Sequence, residues 1–455
     1  MSDYTKIMQD AAARGIRYRE SLEQRPVGPP PEARAATARF DEALPEDGRD
    51  DAETLALLDD IGSPASVAMA GPRFFGFVIG GSMPVTVAAN WLTTAWDQNS
   101  VMSEVTPAVA MLAEVTRRWL CELLCLPRDC AAGFVTGATV ANFTALAAAR
   151  HKVLADVGWD VEKDGLIGAP PLTVIVGEEA HPTLTKSLGL LGLGRERAVR
   201  IPVDAQGRMI ADKLPAVDGP TIVCTQVGNI NTGAFDPVVE ICHAVRPAGA
   251  WVHVDGAFGL WAAAVPGMRH LLAGIEEADS WATDAHKWLN VPYDSGVSMT
   301  RDAAALKAAM AITADYLPTD AGLRNPSDYT PELSRRARGI DVWAALRSLG
   351  RRGVEELIVR CCAHARRFAA GLQAGGYEIL NDVVLNQVLV SFGDDDTTRR
   401  VIEEIQRDGT CWCGGTVWQG RRAMRISVCN WSTTQADVDA SLDAMLTCAE
   451  RARRA

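Results

Sequence analysis

Residues 251–257 read Trp-Val-His-Val-Asp-Gly-Ala, and residues 279–288 read Asp-Ser-Trp-Ala-Thr-Asp-Ala-His-Lys-Trp. Each stretch opens on a short run that is typical of a buried strand and closes on residues that can ionise. In parallel sheets ligands gather at the carboxyl ends of the strands, which is where Asp255 and Lys287 fall. The two stretches therefore predict an α/β fold with a functional site at the ends of two strands.

The remaining sequence extends this pattern. Between about residues 85 and 300, helix-like Ala/Leu stretches alternate with short β-branched runs, which predicts βαβ units and a mostly parallel central sheet. After Asp302 the pattern changes to a smaller α+β unit. We predict an N-terminal helical arm over 1–75, a large domain over 76–310 and a C-terminal small domain over 311–455. The predicted strands are Leu172–Val176, Val199–Val203, Thr221–Thr225, Trp251–Val254, Asp279–Thr283, Gly296–Met299, Val388–Phe392 and Met424–Val428.

Composition excludes several classes of protein. The chain has 455 residues, 48% of them hydrophobic and 22% charged, with a formal net charge of −12. This apolar content predicts a large folded core, and the negative charge argues against nucleic acid or an anionic membrane as the main partner. Two uncharged runs, Phe74–Trp96 and Cys130–Ala149, are long enough to span a membrane. Glycine, proline and polar residues interrupt them, so buried segments of a soluble protein are the preferred interpretation.

The eleven cysteines are spread along the chain, and none forms a paired CxxC motif with histidine partners. That spacing predicts no metal site and favours reduced thiols in a cytoplasmic protein. The sequence also opens without a basic and then apolar leader, which fits the same compartment.

Lys287 is one of only seven lysines in the chain, and Trp281 and Trp288 flank it. Most lysines are solvated surface residues, so a structural role is the first alternative. A buried lysine, however, loses the hydration of its ammonium form, and its free amine becomes a nucleophile. A nucleophilic amine in an α/β protein suggests a Schiff base with an aldehyde cofactor such as pyridoxal phosphate (PLP).

PLP makes three further demands, and the sequence has a candidate for each. The ring nitrogen needs an anion, which Asp255 can supply, although an aspartate after a strand is often only a turn or helix cap. The phosphate needs a helix N-terminus, and the Gly-rich turn before an Ala-rich helix offers Ala138 and Thr139. The ring face needs a flat partner, for which His181 and Ala257 are candidates.

Together these segments resemble the group II PLP-dependent amino acid decarboxylases, the glutamate, aromatic amino acid and tyrosine decarboxylases of PLP fold type I. The resemblance runs from about Pro72 to Asp437, and the segment 232–237, Thr-Gly-Ala-Phe-Asp-Pro, adds to it. It implies that Lys287 holds PLP and that Asp255 pairs with the ring nitrogen. Further roles implied by the resemblance fall on His181 (ring stacking), Ala257 (under the ring), Ala138 and Thr139 (phosphate), His286 (cofactor or substrate), Tyr316 (protonation of the carbanionic carbon) and Arg425 (substrate α-carboxylate).

The sequence departs from the family pattern at two positions. Gly228-Asn229-Ile230 stands where many relatives have Gly-Thr-Thr, so Asn229 is expected to replace a threonine contact to the cofactor. Asp284 stands where asparagine or serine is common, and an acid is a poor neighbour for a phosphate dianion. Phe77 and Ile79 fall in the region that lines the side-chain pocket of relatives, and their apolar character favours an aromatic or other apolar amino acid as substrate.

The resemblance predicts decarboxylation of an L-amino acid to its amine by a homodimer, because fold type I sites are assembled at the subunit interface. Three other interpretations stay open. The first is another PLP reaction, by a lyase or aldolase, an aldehyde synthase or an aminotransferase. The second is a catalytically silent PLP-binding protein. The third is a Rossmann-like protein without PLP, in which Lys287 is structural.

Overall fold

The computed structural model describes residues 4–312 and 322–454. The α-helices are α1 (Tyr4–Ser21), α2 (Pro31–Ala36), α3 (Asp51–Ala65), α4 (Pro84–Trp96), α5 (Pro107–Leu123), α6 (Ala138–Ala155), α7 (Val161–Asp164), α8 (Pro182–Leu190), α9 (Val238–Val245), α10 (Ala303–Met310), α11 (Gly339–Ala374), α12 (Asp395–Asp408) and α13 (Gln435–Arg454). The strands are β1 (Ala131–Val135), β2 (Thr173–Gly177), β3 (Val199–Ile201), β4 (Thr221–Gln226), β5 (Trp251–Asp255), β6 (Ser280–Asp284), β7 (Gly296–Thr300), β8 (Glu378–Ile379), β9 (Gln387–Ser391), β10 (Gly414–Trp418) and β11 (Arg421–Ser427).

The larger sheet of the described residues has the strand order β1-β7-β6-β5-β4-β2-β3. Strands β2 to β6 run parallel, whereas β7 is antiparallel to both of its neighbours. Every residue of β5, β6 and β7 is buried, as expected for a sheet that is covered on both faces. The predicted α/β class with a mostly parallel sheet is confirmed, and the carboxyl ends of β4, β5 and β6 meet at one edge.

The smaller sheet is antiparallel in the order β10-β11-β9-β8; α11 and α12 pack against it, and α13 packs against these two helices. The N-terminal segment also joins this part of the chain. Phe75 donates a backbone hydrogen bond to Trp412, and Ser427 donates one to Phe75. Buried side chains of both sheets, Trp281 and Met424 among them, belong to one continuous apolar cluster.

The predicted strands agree with the observed ones to within three residues at either end, and β1 is the one strand of the large sheet that the sequence did not predict. The stretch from Gly133 to Asn142 was expected to open the Ala-rich helix, but its first residues belong to β1 and the helix begins at Ala138. Val199 begins a strand as predicted, but the strand ends at Ile201, before Pro202, which has no amide hydrogen to continue the ladder.

The uncharged run Phe74–Trp96 forms a turn-rich segment followed by α4, and Cys130–Ala149 forms β1 and most of α6. Over residues 4–312 and 322–454, no helix combines the length and the apolar character that crossing a membrane requires. Within the same ranges, no cluster of three or more His, Cys, Asp or Glu side chains is arranged to hold a metal ion.

Candidate active site

A cavity of about 230 Å³ opens at the carboxyl ends of β4, β5 and β6, beside the N-terminus of α6. This is the edge at which ligands bind in open α/β sheets. Most of the predicted cofactor residues line it. The wall consists of Gly137, Ala138, Thr139, His181, Thr183, Gln226, Gly228, Ile230, Asp255, Ala257, Phe258, Asp284, His286 and Lys287.

Lys287 lies in the wall just beyond β6, with its side chain 15% exposed. Its Nζ is 3.0 Å from Oδ2 of Asp284 and 5.8 Å from the centre of the Phe258 ring. The main chain behind it is tightly packed, because a Cβ atom at Gly80 would lie 1.9 Å from the Lys287 carbonyl oxygen. The lysine therefore has a fixed main chain, and its amine lies at the cavity wall beside the Asp284 carboxylate.

Asp255 ends β5 and is almost fully buried. Its Oδ2 accepts a hydrogen bond from Nδ2 of Asn142 at 3.0 Å, and its Oδ1 accepts one from the Ala257 amide at 3.2 Å. Burial raises the pKa of Asp255, whereas the charges of His181 and Lys287 and these two hydrogen bonds lower it. The carboxylate is thus held in place, with a cationic partner across the cavity.

A chain of donors leads to this carboxylate through α6 and β6. Because Asn142 gives its Nδ2 hydrogen to Asp255, its Oδ1 accepts from Nε2 of His253 at 2.9 Å. Nδ1 of His253 then accepts from the Ser280 hydroxyl at 2.9 Å, and Ser280 accepts from the Trp251 indole at 2.8 Å. Burial lowers the pKa of His253 to about 3, so the imidazole is neutral and the direction of every bond is fixed.

His181 caps the N-terminus of α8, where Nδ1 accepts a hydrogen bond from the Thr183 amide at 3.3 Å. Its own amide donates to Oε1 of Gln226, which ties the residue to the end of β4. Burial lowers the pKa of His181, and the nearby Asp255 charge partly opposes that effect. The imidazole lines the cavity, where the sequence placed a ring-stacking partner, although the stacking role itself stays a prediction.

The N-terminus of α6 reaches the opposite end of the cavity. The Ala138 amide donates to Oδ1 of Asp284 at 2.6 Å. Gly137 and Gly296 approach so closely that a Cβ atom on Gly296 would lie 2.5 Å from Cα of Gly137. The glycines therefore let β7 and the start of α6 close around the buried Asp284 carboxylate.

His286 also lines the cavity, and its ring is held from the β7 side. Its Nδ1 accepts from the Ser295 amide at 3.2 Å, and its ring lies 4.3 Å from the Tyr293 ring, centre to centre. Burial lowers the pKa of His286, so Nε2 carries the single proton of the neutral ring. That nitrogen is 3.6 Å from Oδ1 of Asp284.

The other predicted residues lie around the cavity or beyond it. Arg425, on β11, places Nη1 3.4 Å from Oδ1 of Asn231, next to the cavity residue Ile230, and burial lowers the pKa of Arg425 to about 10. Asn229 is not in the wall. Its Oδ1 accepts from the amides of Asn231 and Thr232, whereas its buried Nδ2 has no partner among the described residues, so its contact to the cofactor stays a prediction.

Phe77 and Ile79 belong to the segment that precedes Gly80, and neither residue lines the cavity. Phe77 is 59% exposed and stacks on Trp412 at 5.3 Å, and its φ of +56° is unusual for a large residue. Ile79 packs in an apolar cluster with the same Trp412. The remaining prediction, Tyr316, lies outside the described residues.

Sequence reasoning missed the residues that support Asp255. His253 stands inside the quoted stretch 251–257, and Asn142 stands in the Ala-rich helix that follows the Gly-rich turn, so a polar residue in an otherwise apolar run was the available signal. Ser280 and Gln226 gave no such signal, because only the pairing of the strands brings them to the site.

The donor set fits pyridoxal phosphate. An amine, a buried carboxylate, an imidazole and a helix N-terminus face one cavity, and they match the aldehyde, the ring nitrogen, the ring face and the phosphate of that cofactor. Lys287 would hold the aldehyde of the cofactor and Asp255 its ring nitrogen, and His181 would lie against the ring face. Asp284 does not fit this match, because its carboxylate already accepts the hydrogen bond of the Ala138 amide at the helix end that would bind the phosphate.

Residues 36–393 match the family model described as the pyridoxal-dependent decarboxylase conserved domain. The chain belongs to this family. Its cofactor is therefore PLP, and its reaction class is amino acid decarboxylation. The Rossmann-like interpretation without PLP is wrong.

Curated relatives include tryptophan decarboxylase 1 of Oryza sativa, 27% identical over 80% of this chain and 78% of the relative. The aromatic-L-amino-acid decarboxylase of Bacillus atrophaeus is 25% identical over 93% of this chain and 90% of the relative. The L-2,4-diaminobutyrate decarboxylase of Rhizobium meliloti is 29% identical over 88% and 83%. These relatives act on chemically different amino acids, so the family alone does not specify the substrate.

Solved structures share the whole fold of this decarboxylase. Oryza sativa TDC with PLP and tryptamine has a TM-score of 0.91 at 23% identity and covers 99% of this chain and 98% of its own. Mouse CSAD has a TM-score of 0.90 at 24% identity, with 98% of each chain covered.

Proposed function

We propose that this decarboxylase converts an aromatic or other apolar L-amino acid to its amine. The observation that carries the proposed reaction is the cavity that the Lys287 amine and the Asp255 carboxylate both line. The proposed substrate class rests on Phe77 and Ile79, which fall in the stretch that resembles the side-chain pocket of relatives. Phe74 and Phe77 both stack on Trp412, with centre-to-centre spacings of 5.0 and 5.3 Å. Flat apolar side chains favour a flat apolar substrate.

Each site residue has one proposed task. When bound, PLP supplies an electron sink that accepts the electron pair left by departing carbon dioxide. Lys287 would hold the cofactor aldehyde through Nζ, and its amine would be available to release the product. Asp255 holds the proton on the ring nitrogen, which its negative charge and its fixed orientation favour. His181 orients the ring by covering one face.

The Arg425 guanidinium is proposed to bind the substrate α-carboxylate. A planar fork of donors matches a carboxylate better than a lysine does, and partial burial strengthens that contact. Tyr316 is proposed to deliver a proton to the α-carbon after carbon dioxide has left. That role rests on the resemblance of segment 314–317 to the family's mobile loop.

We also propose a cytoplasmic homodimer. On α4, the side chains of Trp91, Leu92 and Trp96 are 46%, 53% and 48% exposed, an apolar surface that a subunit partner would cover. Sedimentation of the purified enzyme at several concentrations tests this proposal, and full activity in a monomeric species would contradict it.

A panel of L-amino acids tests the proposed reaction. Purified enzyme with PLP is incubated with tryptophan, tyrosine, phenylalanine, leucine, glutamate and 2,4-diaminobutyrate, and carbon dioxide, amine, ammonia and aldehyde are measured. The proposal predicts equal amounts of carbon dioxide and amine from the aromatic acids, and neither product from Lys287→Ala. Turnover of glutamate alone would overturn the substrate class, and aldehyde with ammonia would indicate an aldehyde synthase.

A further inference from the structure

The Asp284 carboxylate bridges the two groups that the cofactor needs. Its Oδ1 accepts the Ala138 amide hydrogen at 2.6 Å, and its Oδ2 lies 3.0 Å from Nζ of Lys287. The side chain is only 4% exposed, so the bridge is inside the protein. The carboxylate therefore occupies the first amide of α6 and the attachment amine at the same time.

The main chain of Asp284 cannot easily move this carboxylate away. Its amide donates to the Ala257 carbonyl oxygen at 2.9 Å, and its own carbonyl oxygen accepts from the Trp261 indole at 3.0 Å. The residue is also the last of β6 and pairs with Gly296 of β7. Only a rotation of the side chain can take the carboxylate off the Ala138 amide.

The start of α6 is the anion-binding end of an 18-residue helix, and its N-cap residue, Gly137, has no side chain to satisfy the first amides. Asp284 supplies the missing acceptor from another strand. A phosphate group at this helix end would meet a fixed negative charge at close range, and like charges in a partly desolvated site repel strongly.

The groups that surround the carboxylate do not neutralise this repulsion. On its own segment, His286 is uncharged at neutral pH because burial lowers its pKa. From the segment before β7, the Tyr293 ring packs against His286, and burial raises the pKa of the Tyr293 phenol further above the usual value. From β5 comes a second carboxylate, Asp255, so Lys287 is the cation that balances Asp284.

We infer that Asp284 is an internal substitute for the cofactor phosphate, which holds the Ala138 amide and the Lys287 ammonium together until PLP displaces it. The residue thereby weakens the contribution of the phosphate to cofactor affinity. It is a positioning residue that sets how tightly the enzyme retains its cofactor, separate from the choice of substrate.

Two aldehydes, PLP and pyridoxal, separate this role from a simple effect on the lysine, because pyridoxal lacks the phosphate. Dissociation constants are measured on the cofactor-stripped full chain from absorbance changes and from borohydride-trapped attachment at Lys287. Asp284→Asn keeps the shape of the side chain and removes the charge. We expect the affinity ratio of PLP to pyridoxal to rise about tenfold or more in this variant.

Asp255→Asn is the matched control, because it removes the other buried carboxylate of the same cavity. It should weaken both aldehydes alike and leave their affinity ratio within about threefold of wild type. Equal changes for both aldehydes in Asp284→Asn would mean that Asp284 acts through Lys287 alone, and that result overturns the inference. An unchanged ratio with unchanged affinities overturns it as well.

Inorganic phosphate gives a measurement that needs neither aldehyde nor turnover. It should raise the melting temperature of the cofactor-stripped Asp284→Asn protein, because the helix end is then open, and leave that of the stripped wild type unchanged. If Asp284→Asn does not fold, Asp284→Ser is used in its place. Stabilisation of the wild type by phosphate contradicts the inference, and this arm needs no variant.

Discussion

Nδ2 of Asn142 lies 3.0 Å from Oδ2 of Asp255 and orients this carboxylate, which lines the cavity. The two residues are 113 positions apart in the chain, and α6 brings them together above β5. Because the donors behind Asn142 all point toward Asp255, the network favours the ionised carboxylate. An ionised Asp255 is the form that the proposed pairing with the ring nitrogen requires.

Asn142→Ala should lower kcat about tenfold to a hundredfold, the effect of removing one hydrogen bond to a buried charge, with a smaller change in KM. Steady-state kinetics and the pH profile of kcat measure this change. Thr144→Val is the control, because Thr144 is buried on the same helix and bonds only to the Val140 carbonyl oxygen among the described residues. A rise in KM at constant kcat would contradict the assigned role.

The pH dependence of stability should depend on His253. A histidine in an unfolded chain has a pKa near 6.5, and burial lowers the pKa of His253 to about 3. Between these pH values the unfolded chain binds a proton that the folded chain does not. The contribution of His253 to the free energy of unfolding is therefore complete above pH 6.5 and is lost as the pH falls toward 3. The loss from this group should reach about 2 kcal/mol by pH 5.

Urea unfolding of wild type and His253→Gln at about pH 5 and pH 7.5 measures how the free energy of unfolding changes with pH. The variant should be less stable than wild type at the higher pH and lose less stability on acidification. His243→Gln is the matched control, because the His243 side chain is 68% exposed. Equal slopes for wild type and His253→Gln would contradict the prediction.

How far the sequence predicts this molecule depends on the range of the interactions. Strands such as β5 and β6 were predicted to within one residue, because β-branched runs and their flanking residues are local signals. Asn229 was assigned to the cofactor by its position in a motif, and that role stays a prediction, since its Oδ1 bonds within its own turn while its buried Nδ2 has no partner among the described residues. The bridge from Asp284 to Ala138 spans 146 positions, and only the packing of β6 against α6 creates it.

Gly80→Ala should disturb the main chain of Lys287. A Cβ atom there would lie 1.9 Å from the Lys287 carbonyl oxygen, which is backbone and cannot rotate away. We expect destabilisation of about 1–3 kcal/mol and weaker borohydride-trapped cofactor attachment. Gly267→Ala is the control, since no atom of the described residues lies within 4 Å of its added Cβ. Equal melting temperatures for the two variants would contradict the close packing.

Arg425→Ala should raise KM for the amino acid about tenfold or more, because a hydrogen-bonded charge pair with the substrate carboxylate is lost. Arg425→Lys should recover only part of the affinity, since a point charge cannot reproduce the fork. Arg421→Ala is the control on the same strand, where an exposed pair with Glu378 contributes little to stability. The test is completed by comparing the affinity of the enzyme for the amino acid with its affinity for the amine product, which lacks the carboxylate. If Arg425 binds that group, its loss weakens the acid and leaves the amine unchanged, whereas equal weakening of both would assign Arg425 to the loop at Asn231 instead.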